Sequence, residues 1–184
     1  MSLSIKKDSK YTYRDYLTWP EDERWELIKG LSYNMSPAPK IKHQTITGNF
    51  YIQLKTASNN PCYTGIAPTD VVFDDFNVVQ PDVFIVCDQN KITDANIQGA
   101  PDLIIEVISP STEVKDKREK KRLYEIFGVK EYILVFPESK YIERYSLVDK
   151  KYGIPEILNW DETLKLTVFD ININLNEIFN PEGG

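Results

Sequence analysis

The chain of 184 residues contains a single histidine, two cysteines and no long apolar run. Zinc hydrolases of the HExxH type and multi-histidine centres need more imidazoles than His43 provides, so any metal must be held mainly by oxygen. The phosphate-binding patterns GxxxxGK[ST] and GxGxxG are also absent, which removes support for nucleotide-driven chemistry. No segment approaches the roughly 20 apolar residues that cross a bilayer, and the first residues lack a signal-peptide core. We therefore expect a cytoplasmic protein without membrane contact.

The two cysteines predict no special chemistry. Cys62 and Cys87 are far apart in the sequence and form no CxxC pair. Neither a disulfide framework nor a cysteine metal site is indicated, and we expect free thiols.

Charge is distributed unevenly along the chain. The formal net charge of −6 disfavours a domain that coats nucleic acid nonspecifically. From Lys115 to Arg122, however, the sequence reads KDKREKKR, with six basic and two acidic residues. Such a run is typical of a solvated helix face.

Hydrophobic patterning predicts one α/β domain over residues 1–184. Helices are predicted at 13–19, 41–56 and 117–127, the last ending at Gly128. Strands are predicted at 25–28, 31–35, 69–73, 82–87, 103–108 and 132–136, with a turn at 74–77 and a loop at 88–100. The order of strand, helix and strand over 103–136 predicts a right-handed parallel crossover. Segments 142–147, 164–169 and 171–175 are expected to form edge strands or a closing hairpin without chemistry.

Two carboxylates are anomalous because each lies in a predicted apolar strand. Glu106 interrupts the run LIIEVI at 103–108, and Asp82 begins the run DVFIV at 82–86. Burying a charged carboxylate is costly unless a cation or hydrogen bonds compensate it. If the two strands are neighbours, the carboxylates predict a site for Mg²⁺ or Mn²⁺, which prefer hard oxygen ligands. Such a metal orients and deprotonates water for attack on a phosphodiester.

Ordinary structural interpretations stand beside these. Asp82 also suits a strand entry after a proline, and Glu106 suits a structural glutamate paired with Lys120 or Arg122. Glu26, within the segment WELI, is a third acidic candidate that would equally suit the protein surface.

The order of motifs extends over much of the chain. They are WELI at 25–28 with Gly30, MSP at 35–37 followed by His43, QPDV at 80–83, APDLIIEVISPST at 100–112, KKRLY at 120–124 and GVKEY at 128–132. This order resembles the Uma family of restriction endonuclease-like proteins over about residues 13–145, and PDLIIEVISPST with GVKEY is its most specific part. The resemblance implies the PD-(D/E)XK nuclease superfamily, whose α/β core is a mixed β-sheet flanked by helices with the site on adjacent central strands.

The resemblance also implies roles for individual residues. Asp82 and Glu106 match the acidic metal ligands, and Glu26 matches an upstream acid that adds a ligand. The sequence departs from the pattern at the lysine, because counting E-x-K from Glu106 gives Ile108. Members of the family carry a lysine four residues before a helical tyrosine, which here is Lys120. Its implied role is to orient the attacking water or to stabilise the phosphorane oxygens.

The leading functional prediction is a Mg²⁺- or Mn²⁺-dependent endonuclease that cleaves DNA, with His43 as a substrate contact. A solvated Lys120 and a partly buried structural His43 remain the ordinary alternatives. A nuclease-fold DNA-binding or regulatory module with little catalysis is a second hypothesis, favoured by the displaced lysine and the acidic net charge. A third hypothesis is an interaction protein that oligomerises through its edge strands. A homodimer is one alternative for its oligomeric state.

Overall fold

Fourteen strands and five α-helices are seen in the described part of the chain. The structure is a computed structural model that describes residues 10–20, 22–35, 38–57 and 60–180. The strands are β1 (Trp25–Ile28), β2 (Leu31–Asn34), β3 (Tyr63–Ile66), β4 (Val71–Asp74), β5 (Asn77–Val79), β6 (Val83–Val86), β7 (Ile97–Gln98), β8 (Leu103–Val107), β9 (Glu131–Phe136), β10 (Tyr141–Val148), β11 (Lys151–Tyr152), β12 (Glu156–Asn159), β13 (Thr163–Lys165) and β14 (Asn172–Asn174). The helices are α1 (Tyr13–Tyr16), α2 (Ile41–Thr56), α3 (Glu113–Lys115), α4 (Lys121–Phe127) and α5 (Leu175–Phe179), with a π-helical segment (Asp116–Lys120) between α3 and α4 and a 3-10 helix at Gln89–Lys91.

The largest sheet is mixed. Its strands follow the order β11-β10-β9-β8-β6-β3, and β12 also pairs with β10. The central strands β8 and β9 are parallel, as the predicted crossover requires, whereas β6 runs antiparallel to β8. Every residue of β6, β8 and β9 is buried, because this part of the sheet is covered on both faces. The mixed sheet with flanking helices confirms the predicted α/β fold class.

Alternation along β8 separates the two faces. Ile105 and Val107 point into a core formed with α2, whose Phe50 and Leu54 are fully buried, and with the C-terminal hairpin of β13 and β14. Ile104 points into the opposite core, which contains Tyr124 of α4. Glu106 shares the parity of Ile104, so the fold directs it toward α4.

A second sheet packs against this α4 side. Its five strands follow the order β2-β1-β5-β4-β7. The β1–β2 hairpin turns through Lys29 and Gly30, which both have positive φ, as a two-residue type I′ turn requires. Ile28 of β1 and Val79 of β5 belong to the same buried cluster as Tyr124. Glu26, also in β1, therefore lies close to the gap between the two sheets.

Several predicted boundaries are wrong. Helix α1 ends at Tyr16, and the π-helical segment with α3 extends the third predicted helix back to Glu113. The turn predicted between the strands at 69–73 and 82–87 instead joins β4 to β5, which pair in the second sheet. Strand β6 begins only after Pro81. The predicted loop at 88–100 contains β7, and β3 was not predicted at all. Strand β10 is not an edge strand, because it pairs with β9, β11 and β12.

Two other features bear on the predictions. Ser36 and Pro37 of the MSP motif and the first nine residues lie outside the described residues. Among the helices that the structure describes, none has the length and apolarity needed to span a bilayer.

The prediction of free thiols is wrong, because Cys62 and Cys87 form a disulfide. Antiparallel pairing of β3 with β6 sets Tyr63 opposite Val86. Cys62 precedes Tyr63 and Cys87 follows Val86, so the two cysteines occupy the next cross-strand position. Their Cα atoms lie 4.4 Å apart. A separation of 25 residues in the sequence thus becomes a cross-strand contact, which spacing alone does not reveal.

We predict that removing this disulfide lowers the free energy of unfolding by about 3 kcal/mol, because the bond closes a loop of intermediate length in the unfolded chain. Urea unfolding is compared for the oxidised protein, the reduced protein and the double variant Cys62→Ser/Cys87→Ser. Reductant should destabilise the wild type and leave the double variant unchanged. Two reactive thiols in the unfolded, unreduced wild type would contradict the assignment.

Candidate active site

Strand register brings Asp82 level with Glu106. Val83 of β6 lies opposite Ile105 of β8, so the residue before Val83 stands beside the residue after Ile105. Asp82 immediately precedes β6 and does not lie inside it, which corrects the predicted strand position. Its side chain is 17% exposed, and Oδ2 accepts a hydrogen bond of 2.8 Å from the backbone N–H of Val107.

Glu106 is buried within β8 and faces two donors from the following helix. The residue is 4% exposed. Its Oε1 atom accepts hydrogen bonds from Lys120 Nζ at 2.9 Å and from the hydroxyl of Tyr124 at 2.7 Å. Lys120 is itself only 2% exposed, so a solvated lysine at this position is excluded. The lysine and the tyrosine lie four residues apart and share one face of the helical segment.

Glu26 reaches the same ammonium group from the second sheet. Its Oε1 atom lies 2.6 Å from Lys120 Nζ and also accepts a hydrogen bond from the backbone N–H of Gln80. Its Oε2 atom pairs with Lys115. Because Glu26 is fully buried, it is not a surface glutamate. Lys120 thus joins the carboxylates of Glu26 and Glu106 across the interface between the two sheets.

The basic run is divided between the interior and the solvent. Asp116 and Lys120 are both buried, whereas Arg118 and Arg122 are exposed. A solvated face therefore describes only part of the run. Asp116 was not predicted as a site residue, although its Oδ1 atom lies 3.6 Å from Lys120 Nζ. The signal that could have found it is its spacing of four residues from Lys120, on the same helical face.

His43 lies at the start of α2, next to Asp82. Its Nε2 atom is 3.3 Å from Asp82 Oδ2, and its Nδ1 atom is 3.4 Å from the hydroxyl of Thr47. Burial favours the neutral imidazole, but the hydrogen bond and the charge of Asp82 raise the pKa of His43 above its ordinary value. His43 is therefore a partly buried, hydrogen-bonded histidine at the edge of the cluster.

Carboxyl groups outnumber ammonium groups in this cluster. Burial raises the pKa of Glu106 to about 8; the charge of Lys120 opposes this shift, and nearby Asp116, Asp82 and Glu26 add to it. Burial also disfavours ionised Glu26, but Lys120 and Lys115 hold its pKa below the ordinary value. Lys120 stays charged despite its burial because Glu106, Glu26 and Asp116 raise its pKa. Glu106 consequently retains a proton near neutral pH unless another cation is present.

The donor chemistry suits a hard divalent cation, but the present arrangement serves it only in part. Asp82, immediately before β6, and Glu106, on β8, supply carboxylate oxygens side by side, and the cluster contains more carboxyl groups than ammonium groups. Both oxygens of Glu26 contact lysines. Within residues 10–20, 22–35, 38–57 and 60–180, no three histidine, cysteine or acidic side chains are grouped so that they could hold a metal. Coordination by Glu26 therefore requires that an ammonium group leaves it.

Comparison with known proteins gives three similarities. The sequence model of the Uma2 family, described as "Putative restriction endonuclease", matches residues 13–176. An uncharacterized protein of Synechocystis sp. (strain ATCC 27184 / PCC 6803 / Kazusa) is 29% identical over 174 residues, which are 90% of this chain and 88% of that protein. The crystal structure of a putative nuclease belonging to DUF820 from Anabaena variabilis ATCC 29413 has a TM-score of 0.75 and 18% identity, and the match covers 91% of this chain and 97% of the other. This last similarity concerns the fold.

We predict that the protein becomes less stable as the pH rises through about 8 in buffer without divalent cations. Glu106 binds its proton more tightly in the folded state than in the unfolded chain. Its stabilising contribution is therefore complete below its ordinary pKa of 4.5 and is lost as the pH rises through about 8. The raised pKa values of Asp116 and His43 act in the same direction, whereas the lowered pKa of Glu26 matters only in acid.

The measurement is urea unfolding of the wild type and Glu106→Gln at about pH 5 and about pH 9 with a chelator. The wild type should lose a few kcal/mol between these values. Glu106→Gln should lose clearly less, because glutamine does not titrate. Equal losses in the two proteins would contradict the proposed titration of Glu106.

Proposed function

Because the chain belongs to the Uma2 family of restriction endonuclease-like proteins, as its motifs predicted, we propose that it is a Mg²⁺- or Mn²⁺-dependent endonuclease that hydrolyses DNA phosphodiester bonds. One observation carries the proposal. Buried Glu106 contacts Lys120 at 2.9 Å and stands level with Asp82, which immediately precedes the adjacent strand β6. The strand register sets a second acid beside the pair of Glu106 and Lys120, and this supports a site in which two carboxylates act together.

Asp82 and Glu106 are the residues proposed to hold the metal, with Glu26 as the third predicted ligand. When bound, Mg²⁺ or Mn²⁺ would activate water and stabilise the negative charge that develops during phosphodiester hydrolysis. The hydrogen bond from Val107 fixes Asp82, and the hydroxyl of Tyr124 fixes Glu106. These contacts hold both carboxylates at defined positions when no ligand is present.

Lys120 supplies the fixed positive charge of the proposed site. Its ammonium has three N–H groups, and it contacts Glu106 and Glu26. We propose that it orients the attacking water or stabilises the phosphorane oxygens, which requires a protonated lysine. Its pKa is raised by the surrounding carboxylates, so the protonated form is maintained. His43, held by Asp82, is the proposed contact to the DNA phosphate.

We predict that the wild type cleaves supercoiled and linear DNA with Mn²⁺ or Mg²⁺ and stops when a chelator is added. Glu106→Gln and Lys120→Met should each lower the cleavage rate by about 100-fold or more, because each removes charge that acts in the transition state. Lys121→Met is the matched control, since the ammonium of Lys121 lies over the ring of Tyr145 instead. Circular dichroism checks that each variant is folded. Equal cleavage by the wild type and Glu106→Gln, or none by either, would sink the proposal.

A second candidate function is a nuclease-fold module that binds DNA with little catalysis. The observation that favours it is that Lys120 pairs directly with Glu26 and Glu106, so part of the acidic set is already compensated without a metal. Exposed Arg118 and Arg122 lie on the outer side of the same helical segment and offer phosphate contacts.

We predict that Arg118→Gln/Arg122→Gln lowers the slope of log K against log salt by about 2, because each phosphate contact contributes nearly one released counterion. Fluorescence anisotropy with a labelled duplex measures this slope without metal. Tight binding by Asp82→Asn/Glu106→Gln, together with no cleavage by the wild type, would favour the binding module. An unchanged salt slope in the arginine variant would exclude this helix as the contact surface.

A further inference from the structure

Asp116 is a buried acid for which neither the fold nor the proposed reaction has so far required a role. It begins the π-helical segment and is 2% exposed. Among the described residues, its Oδ1 atom is buried without a hydrogen-bond partner. A buried carboxylate oxygen without a hydrogen bond is unfavourable, because it has lost its water and has no donor in its place. Its position therefore needs a physical explanation.

The backbone of Asp116 is already well anchored. Its N–H donates to the carbonyl of Thr112 at 2.9 Å, and its carbonyl accepts a hydrogen bond from the hydroxyl of Tyr132 at 3.1 Å. These contacts hold the start of the π-helical segment and do not use the carboxylate. The carboxylate also has a side-chain hydrogen bond with Thr112, which leaves only Oδ1 without an explanation.

The carboxylate instead faces the ammonium of Lys120. Asp116 Oδ1 is 3.6 Å from Lys120 Nζ, which is beyond hydrogen-bond distance but within reach of a small side-chain movement. The same ammonium contacts Glu26 at 2.6 Å and Glu106 at 2.9 Å. Two of its three N–H groups are thus matched to acceptors, and Asp116 is the third acidic neighbour.

We propose that Asp116 is a positioning residue that accepts a hydrogen bond from Lys120 when Glu106 turns toward a cation. This inference rests on the proposed function. Without Asp116, withdrawal of Glu106 would leave Lys120 attracted mainly toward Glu26 and the second sheet. With Asp116, the ammonium remains between the helix and β8, beside the carboxylate that binds the cation. Oδ1 of Asp116 is therefore the acceptor that becomes available to Lys120 when Glu106 moves away.

The first test is kinetic and uses the full chain with Mn²⁺ and a DNA substrate. Asp116→Asn keeps the side-chain size and both backbone contacts but removes the charge. Its kcat should fall about tenfold or more while KM changes less than about twofold, because Lys120 acts on the reaction and not on DNA binding. Glu113→Gln is the matched control, since it removes one negative charge from the same helix at a residue that contacts Lys117.

The second test observes Lys120 without activity. The ¹⁵N-lysine spectrum of the protein, recorded with and without the diamagnetic cation Mg²⁺, reports buried ammonium groups, and Lys120→Met identifies the Lys120 signal by its loss. With Mg²⁺, Asp116→Asn should accelerate hydrogen exchange of that ammonium, whereas Glu113→Gln should leave it unchanged. Asp116→Ser, which leaves room for a water molecule, is measured in the same way if Asp116→Asn does not fold.

The two tests separate failure of this inference from failure of the proposed function. A slower kcat together with a changed Lys120 signal supports the positioning role. An unchanged signal overturns it even if kcat falls, because Asp116 would then act by another route. An unchanged kcat in an active enzyme also overturns it. If the wild type cleaves no DNA with either metal, the proposed function fails and the Lys120 signal alone decides whether Asp116 positions the lysine.

Discussion

Burial of Glu106 is the constraint on which the site depends. A carboxylate inside a strand covered on both faces must be neutralised locally, because the solvent cannot stabilise its charge. The ammonium of Lys120 supplies the opposite charge, and the hydroxyl of Tyr124, one helical turn away, donates a hydrogen bond. The charged ammonium of Lys120 is itself buried, so it also requires nearby negative charge. Glu26 and Asp116 supply that charge. Each buried charge in the cluster is therefore stabilised by a buried group of opposite charge.

The cluster also explains why two sheets and a helix meet at this place. Glu106 comes from the large sheet, Glu26 from the small sheet, and Lys120 from the helical segment between β8 and β9. The parallel pairing of β8 and β9 requires a crossover connection, and that connection carries the lysine over the carboxyl end of β8. Substitution of a member of the cluster therefore perturbs charge balance and packing between layers together. For this reason, charge-removing variants that keep the side-chain size are the informative ones.

The sequence predicted the parts of this arrangement that depend on a local contrast. Glu106 was recognisable because it is charged within an apolar strand, and the crossover because a helix separates two apolar runs. Asp116 was concealed, since an acid within a run of lysines and arginines resembles any solvated helix. Burial of one face of that run depends on β8 and β1, which are distant in sequence. The disulfide of Cys62 and Cys87 was missed for a related reason, because strand pairing cannot be read from spacing.

Three kinds of positive charge compete for the surplus acids: a proton, the Lys120 ammonium and a divalent cation. The proton is the most easily exchanged, because Glu106 has a pKa of about 8 whereas the pKa of Lys120 lies well above its ordinary value. A cation that binds beside Asp82 and Glu106 would therefore replace the proton and leave Lys120 charged. Under this ordering the lysine would be a permanent component of the proposed site, and metal binding would change its partners without changing its charge. The excess of acids over lysines would then serve the proposed function, since a fully neutralised cluster would offer no attraction to a cation.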